Sequence, residues 1–297
     1  MNNVIALYGK RIQADSAQVF KHLLGLLSRR GFKIICEEQT ADTLVQFGIS
    51  KDGYSSLFTK ETIASYSPKM VLSVGGDGTF LGAASLVEDK DIPILGINCG
   101  RMGFLANVAR ADIETAVEMI AAENYALSYR DILGFESEGD TQVSGTALNE
   151  VSILKSDMAS LLTIHVYING DFLTTYWADG LVISTPTGST AYSMSAGGPI
   201  ICPDCRLLLL TPVSPHNLTL RPMAIPVESK LEICVESRSG DYILSADSEM
   251  YKRKDSCPVR VATGDYKIKV VQLPGTNFYG TIRKKLYWGE DMRNSKQ

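Results

Sequence analysis

Apolar and polar positions follow two different rhythms along this chain, and the change between them falls near residue 125. In the first part, short apolar runs alternate with stretches of helical spacing. Val4 to Tyr8 predicts a strand, and Ala14 to Arg30 sets Val19, Leu23, Leu26 and Leu27 at helical intervals before stopping at Gly31. Phe32 to Cys36 predicts a second strand, Ser56 to Ser65 a weaker helix, Met70 to Val74 a third strand, and Ile94 to Ile97 a further strand after Pro93. Asp112 to Asn124 predicts one more helix. This βα order implies an α/β domain with a Rossmann-like, mostly parallel sheet, whose ligands bind outside the carboxyl ends of the strands.

From Tyr125 to Leu273 the runs become short and rich in Val, Ile, Leu, Thr and Tyr, broken by turn pairs such as Asn169-Gly170, Ser239-Gly240 and Gly264-Asp265. They predict an all-β domain. Its clearest hairpin is Asn169-Gly170, set between Leu161–Ile168 and Asp171–Trp177. One helix is expected to interrupt it, from about Ser189 to Ala196, and the tail from Asn277 to Trp288 predicts another. The expected division is thus an α/β domain over 1–124 and an all-β domain over 125–274.

The strand Met70–Val74 runs into Gly75-Gly76-Asp77-Gly78-Thr79, with a helix predicted from Thr79 to Val87. Three glycines there are expected to take backbone angles that a Cβ would resist. The free N–H groups and positive end of the helix would stabilise an anionic oxygen in the turn. Asp77 is the odd member, because a carboxylate repels phosphate. It fits a base or a magnesium-coordinating group, and equally an N-cap in an ordinary βα turn. The segment matches neither the dinucleotide fingerprint, whose third glycine it lacks, nor a P-loop, whose Lys-Ser/Thr pair follows no glycine-rich loop here.

With 297 residues, 45% of them hydrophobic, the chain can bury two cores. A net charge of −4 argues against a nucleic-acid-binding surface. No apolar run approaches a membrane span, and the one at Val4–Tyr8 is too short for a signal peptide. The expected location is therefore the cytoplasm, with no membrane partner. Six cysteines in that setting read as reduced thiols. Cys202-Pro203-Asp204-Cys205 has the spacing of a redox pair or half a zinc site, but Cys234 and Cys257 stand alone and none of His22, His165 and His216 is at ligand spacing from another. The pair reads as part of a loop.

Gly75-Gly76-Asp77-Gly78-Thr79 resembles the signature shared by NAD kinases, diacylglycerol and sphingosine kinases and, more distantly, phosphofructokinases. The stretch from Asp179 through Gly180, Thr187, Gly188 and Ser189 to Tyr192 is very similar to the central motif of the NAD kinases, which the lipid kinases do not carry. Leu95–Asn98 running into Gly100–Leu105, Leu148–Val151, and Pro215–Leu218 followed by Arg221-Pro222 fall in that family's order. On these motifs the chain resembles a bacterial-type NAD kinase.

The resemblance implies transfer of a phosphoryl group to the 2′-hydroxyl on the adenosine ribose of NAD, giving NADP, with ATP or polyphosphate as donor and a divalent cation such as Mg²⁺. It casts Asp77 as the base and places Gly75, Gly76, Gly78 and Thr79 at the donor's phosphates. It puts Asn149 at the adenine, Glu150 near the ribose or the metal, Thr190 and Ala191 at the adenine side, and Tyr192 beside the dinucleotide. Asp179 falls at the nicotinamide end, Ser193 completes the shell, and Gly78 contacts NAD as well. Glu249, where relatives often carry Gln, and Trp177, where some carry Arg, are candidate tuners of substrate choice. The family also implies a dimer or tetramer, and a tail from about 275 to 297 that returns to the first domain. A lipid kinase is the alternative of the same class, and a non-catalytic NAD-binding regulator the alternative from another. His216 reads as framework.

Overall fold

The computed structural model describes residues 3–100, 103–139, 141–157, 160–255 and 257–289. Arg101 and Met102, within the Gly100–Leu105 segment, and the tail beyond 289 lie outside the described residues. The chain divides into two compact units, Met1–Tyr129 with Ile268–Gln297, and Arg130–Lys267.

The first unit contains β1 (Val4–Tyr8), α1 (Ala14–Arg29), β2 (Lys33–Glu37), α2 (Glu38–Val45), β3 (Ser56–Phe58), β4 (Met70–Gly75), α3 (Asp77–Val87), β5 (Ile94–Asn98), β6 (Val108–Ala109) and α4 (Ile113–Ala121). The strands pair in parallel in the order β5-β4-β1-β2-β3, with Val270 of the last strand beside Ile94 and β6 on β5. β1 lies between β2 and β4, so the chain builds one side of the sheet and then crosses to build the other. Ligands of doubly wound sheets bind at such a reversal, outside the carboxyl ends. Gly75 is at the carboxyl end of β4, one strand from Tyr8. α1 presents Val19, Phe20, Leu23, Leu26 and Leu27 to a core shared with Ile5, Leu7, Leu72 and Ile97.

The helix expected over 56–65 is absent. Ser56–Phe58 pairs in parallel with Ile35–Glu37, and only a 3-10 turn follows at Ile63–Tyr66. The helix of that region is α2, which the apolar spacing concealed because Ala41 and Leu44 are its only apolar side chains buried in the core. Its start is fixed by Glu37, whose carboxylate accepts the N–H groups of Gln39 and Thr40.

The second unit is all β apart from a short helical stretch at 187–195. β7 (Ala126–Ser137), β8 (Val143–Ala147), β9 (Glu150–Lys155), β10 (Leu162–Ile168), β11 (Asp171–Ala178) and β12 (Gly180–Ser184) precede that stretch. β13 (Leu207–Val213), β14 (Met223–Pro226), β15 (Leu231–Glu236), β16 (Asp241–Ala246), β17 (Glu249–Lys254) and β18 (Val259–Gln272) follow it. One antiparallel sheet runs β14-β13-β12-β9-β16-β17, and the other joins β11-β10-β15-β18, with β7 on β18 and β8 on β7. Their inner faces share one core, including Val151, Ile153, Leu181 and Ile183 from the first and Ile164, Val166, Ile233 and Val259 from the second. The β10–β11 hairpin turns at Asn169 (φ 54°) and Gly170 (φ 91°), the left-handed pair that suits a tight two-residue hairpin. The tail forms a helix at Phe278–Leu286.

Candidate active site

In the first unit β4 delivers Gly75, the chain turns at Gly76, and α3 begins at Asp77. The helix therefore starts two residues earlier than the sequence predicts, and Gly76 rather than Asp77 is its N-cap. Asp77 reaches across to the loop after β5. Its Oδ2 accepts the Phe104 N–H at 2.9 Å, and its Oδ1 accepts those of Leu105 and Ala106 at 3.0 and 3.1 Å. Hydrogen bonds to an ionised acceptor are the strong ones, so one carboxylate pins the 104–106 loop to the start of α3. A Cβ at Gly103 would stand 1.8 Å from Asp77 Oδ1, so this approach requires glycine there. The Lys285 ammonium, from the tail helix, lies 3.6 Å from Asp77 Oδ2 and 4.2 Å from the centre of the Phe104 ring.

The glycines of the turn correct the sequence reading. None of Gly75, Gly76 and Gly78 has a left-handed φ, and Gly76 is extended at φ −103°. Gly75 is required by contact, since a Cβ would lie 2.2 Å from Thr79 Oγ1. Beside Gly76 and Gly78 there is open space where a Cβ would stand, leaving the backbone at the helix start approachable.

In the second unit the segment Leu148–Glu150 is clamped from two sides. Asp247, in the β16–β17 hairpin turn at φ 48°, accepts the N–H groups of Leu148 at 2.8 Å, Asn149 at 2.9 Å and Glu150 at 3.2 Å. From the other side the Thr185 hydroxyl donates to Leu148 O at 2.7 Å, and the Thr185 N–H donates to Asn149 O at 2.9 Å. Gly188 packs so closely that a Cβ would meet Asn149 O at 2.1 Å. Asn149 is consequently buried just ahead of β9.

Glu150 opens β9 with its Oε2 enclosed and without a hydrogen-bond partner among the described residues. Burial, and then the neighbouring Asp247 charge, push its acid up to about 8, against an opposing hydrogen bond from the Tyr192 N–H. Burial likewise raises Asp247, with the three N–H donors pulling the other way. The Tyr192 phenol is raised by burial and by the charges of Asp179 and Glu150, so these three predicted residues share one neighbourhood. Asp179 is paired with Lys155 Nζ at 2.5 Å.

Thr190 and Ala191 close the 3-10 turn before the Tyr192–Ser195 helix, the Thr190 hydroxyl donating to Thr187 O at 3.2 Å. Ser193 faces inward, fully buried against the Thr211 hydroxyl at 2.8 Å. Glu249 is exposed at the start of β17 and accepts from the Tyr251 hydroxyl at 2.5 Å, and its charge acts on Asp247. Trp177 and His216 lie apart, joined by the His216 N–H on Trp177 O at 2.8 Å. Cys202 and Cys205 share a turn, and none of the six cysteines, all among the described residues, is in a disulfide.

Sequence reasoning missed Asp247, Thr185, Gly103 and Lys285. Asp247 reads as an ordinary turn aspartate, and no local signal announces that it reaches a segment 97 to 99 residues away. Among the described residues, no three or more of His, Cys, Asp and Glu gather as a metal site.

The chain matches the ATP-NAD kinase N-terminal domain family over residues 5–125 and the ATP-NAD kinase C-terminal domain family over 148–273. It is 39% identical to an NAD kinase of Flavobacterium johnsoniae over 98% of this chain and 99% of that one. With an NAD kinase of Bacteroides fragilis it shares 40% identity, over 97% and 99%. Among solved structures it resembles yeast NADH kinase complexed with NADH, at a TM-score of 0.87 and 23% identity over 99% of this chain and 90% of that one. An NAD kinase from Archaeoglobus fulgidus in complex with ATP gives a TM-score of 0.71 at 21% identity, over 95% and 99%. These two likenesses bear on the fold alone, and the fold agrees with the expected α/β and all-β pairing. The identity of 39–40% over nearly the whole length decides the family: the chain belongs to the NAD kinases, which phosphorylate NAD to NADP.

Proposed function

We propose that the enzyme takes ATP as phosphoryl donor at the Gly75–Thr79 turn, and that Asp77 accepts the proton of the 2′-hydroxyl on the adenosine ribose of NAD. The supporting observation is the Asp77 carboxylate, locked by three backbone N–H groups at the start of α3 and still 31% exposed. Phosphoryl transfer asks mainly for position and charge stabilisation, and its loose transition state is served by as weak a base as a carboxylate. The bond from the γ-phosphorus to the β-bridging oxygen breaks with its electrons going to ADP, the ribose oxygen takes the phosphorus, and the ribose proton passes to Asp77. Gly75, Gly76, Gly78 and Thr79 surround the donor's phosphates, the open space beside Gly76 and Gly78 giving them access.

NAD falls to the all-β domain, 125–274. There Asn149 meets the adenine and Glu150 the ribose, Thr190, Ala191, Tyr192 and Asp179 line the dinucleotide, Ser193 supports them from within, and Glu249 tunes substrate choice. A divalent cation, Mg²⁺, would neutralise the donor's triphosphate when bound. A cation held mostly by the donor's own phosphate oxygens, as is usual for magnesium, would need no cluster of protein carboxylates, and among the described residues none gathers. The enzyme acts in the cytoplasm as a homo-oligomer on this reading. Among the described residues no helix is long and apolar enough to cross a membrane. Incubation with NAD, Mg²⁺ and either ATP or polyphosphate, following NADP, tests the donor: formation from ATP is expected, and formation from polyphosphate alone overturns the assignment.

A further inference from the structure

A carboxylate at a phosphate-binding turn poses an electrostatic problem. Two like charges in contact near a protein surface repel strongly. Asp77 must therefore be offset by a cation if phosphates are to settle beside it. Among the described residues the Lys285 ammonium is the one positive group within 4 Å of the Asp77 carboxylate.

The geometry shows more than charge pairing. At 3.6 Å the ammonium is beyond hydrogen-bond distance of Oδ2, which already accepts the Phe104 N–H. It rests instead against the face of the Phe104 ring at 4.2 Å, a cation–π contact that holds the charge without using an N–H donor. Its side chain is 32% exposed. An ammonium has three donors, and among the described residues none of them meets an acceptor at hydrogen-bond distance. The stem is also well placed. The tail helix is capped by Asn277, whose side chain accepts the Gly280 N–H at 2.7 Å, and Phe278 packs its ring 6.4 Å from that of Phe104. Phe104 thus ties the tail helix to the loop that Asp77 holds.

We propose that Lys285 is a catalytic residue of the donor site: its ammonium contacts the terminal phosphate of ATP and stays on that group as it moves to the ribose oxygen. Lys285 remains protonated throughout, while the bonds and the ribose proton move as given above. The proposal rests on ATP being the donor at the Asp77 turn. A merely structural lysine in the last turn of a helix would act on the helix dipole alone, and Arg283 and Lys284 would share that role.

The test compares Lys285→Met, Lys285→Arg and Lys284→Met in steady-state NADP formation, varying ATP and NAD separately, with thermal melts on each variant. Loss of one preorganised contact to developing charge is worth on the order of 10² in rate. Lys285→Met is expected to lower kcat/KM for ATP by about that factor while the KM for NAD stays within about twofold, and Lys285→Arg should restore most of the loss. Lys284→Met should match the wild type. Equal losses in Lys284→Met and Lys285→Met, an equal rise in both Michaelis constants, or an unchanged kcat/KM for ATP in Lys285→Met would each overturn the proposal. If Lys285→Met does not fold, Lys285→Arg decides on the same two constants, since it must keep ATP use within about tenfold. Wild-type enzyme that makes NADP from polyphosphate and not from ATP overturns the donor assignment itself, an outcome visible before any variant is made.

Discussion

Asp77 and Asp247 perform the same mechanical task in separate units and differ in what surrounds them. Asp77 gathers the N–H groups of Phe104, Leu105 and Ala106, and Asp247 gathers those of Leu148, Asn149 and Glu150. Each is a single carboxylate that orders three consecutive residues far away in sequence. Around Asp77 stand a lysine ammonium and open space beside two glycines. Around Asp247 stand burial and a second carboxyl, Glu150. The first carboxylate keeps an exposed face beside the Lys285 ammonium, whereas the second is enclosed. On the proposed reading the same hydrogen-bond pattern serves chemistry in one unit and scaffolding in the other.

The largest effect expected from breaking this contrast is at Asp77. Asp77→Asn should lower turnover by about two to four orders of magnitude, because the proton acceptor is gone. The amide can still accept from Leu105 and Ala106, but it turns an NH₂ group toward the Phe104 N–H and the Lys285 ammonium. Gly103→Ala probes the same geometry with the carboxylate intact, since its methyl would displace Asp77. Steady-state NADP formation with parallel melts is the measurement. Turnover within tenfold of wild type in a folded Asp77→Asn enzyme would remove Asp77 as the base and make the two aspartates equivalent.

At Asp247 the contrast predicts a different signature. Asp247→Asn leaves at least one backbone N–H of the Leu148–Glu150 segment unsatisfied, at a cost of about 1–3 kcal/mol. The expected result is a lower unfolding free energy and a raised KM for NAD, with kcat at saturating NAD little changed. Denaturant melts and the two Michaelis constants check it. A fall in kcat as steep as that of Asp77→Asn, with stability intact, would place Asp247 in the chemistry.

How much of this was legible beforehand follows from the range of the interactions. The strand Met70–Gly75 and the turn after it were legible because a buried apolar run and a glycine cluster are local signals. The Asn169-Gly170 hairpin was legible for the same reason. β3 was not, because Ser56–Phe58 is a strand only by pairing with Ile35–Glu37, and its own residues carry no alternation. The site divided along the same line. Asp77, Asn149 and Tyr192 stand in dense motifs, whereas Asp247, Gly103 and Lys285 act on residues remote in the chain. Only the backbone angles of Gly76 and Gly78 were misread, because glycine signals both freedom of φ and absence of bulk, and the fold alone separates the two.

Asn149 sharpens the scaffolding half of the comparison. If Asp247 and Thr185 exist to present it, Asn149→Ala should cost NAD binding and little stability, because its backbone bonds to both survive the substitution. A lost contact to a polar ring is worth about 1–3 kcal/mol, roughly a five- to 150-fold rise in KM for NAD. An unchanged KM in a folded variant would take Asn149 out of the NAD site.

The effect most particular to the Asp247 side is a pH dependence of stability centred on Glu150. Its acid rises from 4.5 to about 8 on folding, through burial and the Asp247 charge. Between those values the unfolded chain has released the proton and the native chain still holds it, so stability must fall as pH rises. The contribution is fully present below about 4.5 and is lost as pH passes through about 8. For one proton the slope is at most about 1.4 kcal/mol per pH unit. Glu150→Gln abolishes that proton exchange while keeping size and polarity, so its stability relative to wild type should grow from pH 5 to pH 8 and then level off. Asp247, whose acid is also raised, contributes a slope of the same sign to both proteins, and the subtraction leaves mainly the Glu150 part. Urea unfolding at several pH values across that window gives the difference directly. Parallel curves for Glu150→Gln and wild type would show that the two carboxyls do not share a desolvated site, and the distinction drawn between the surroundings of Asp77 and Asp247 would lose its electrostatic basis.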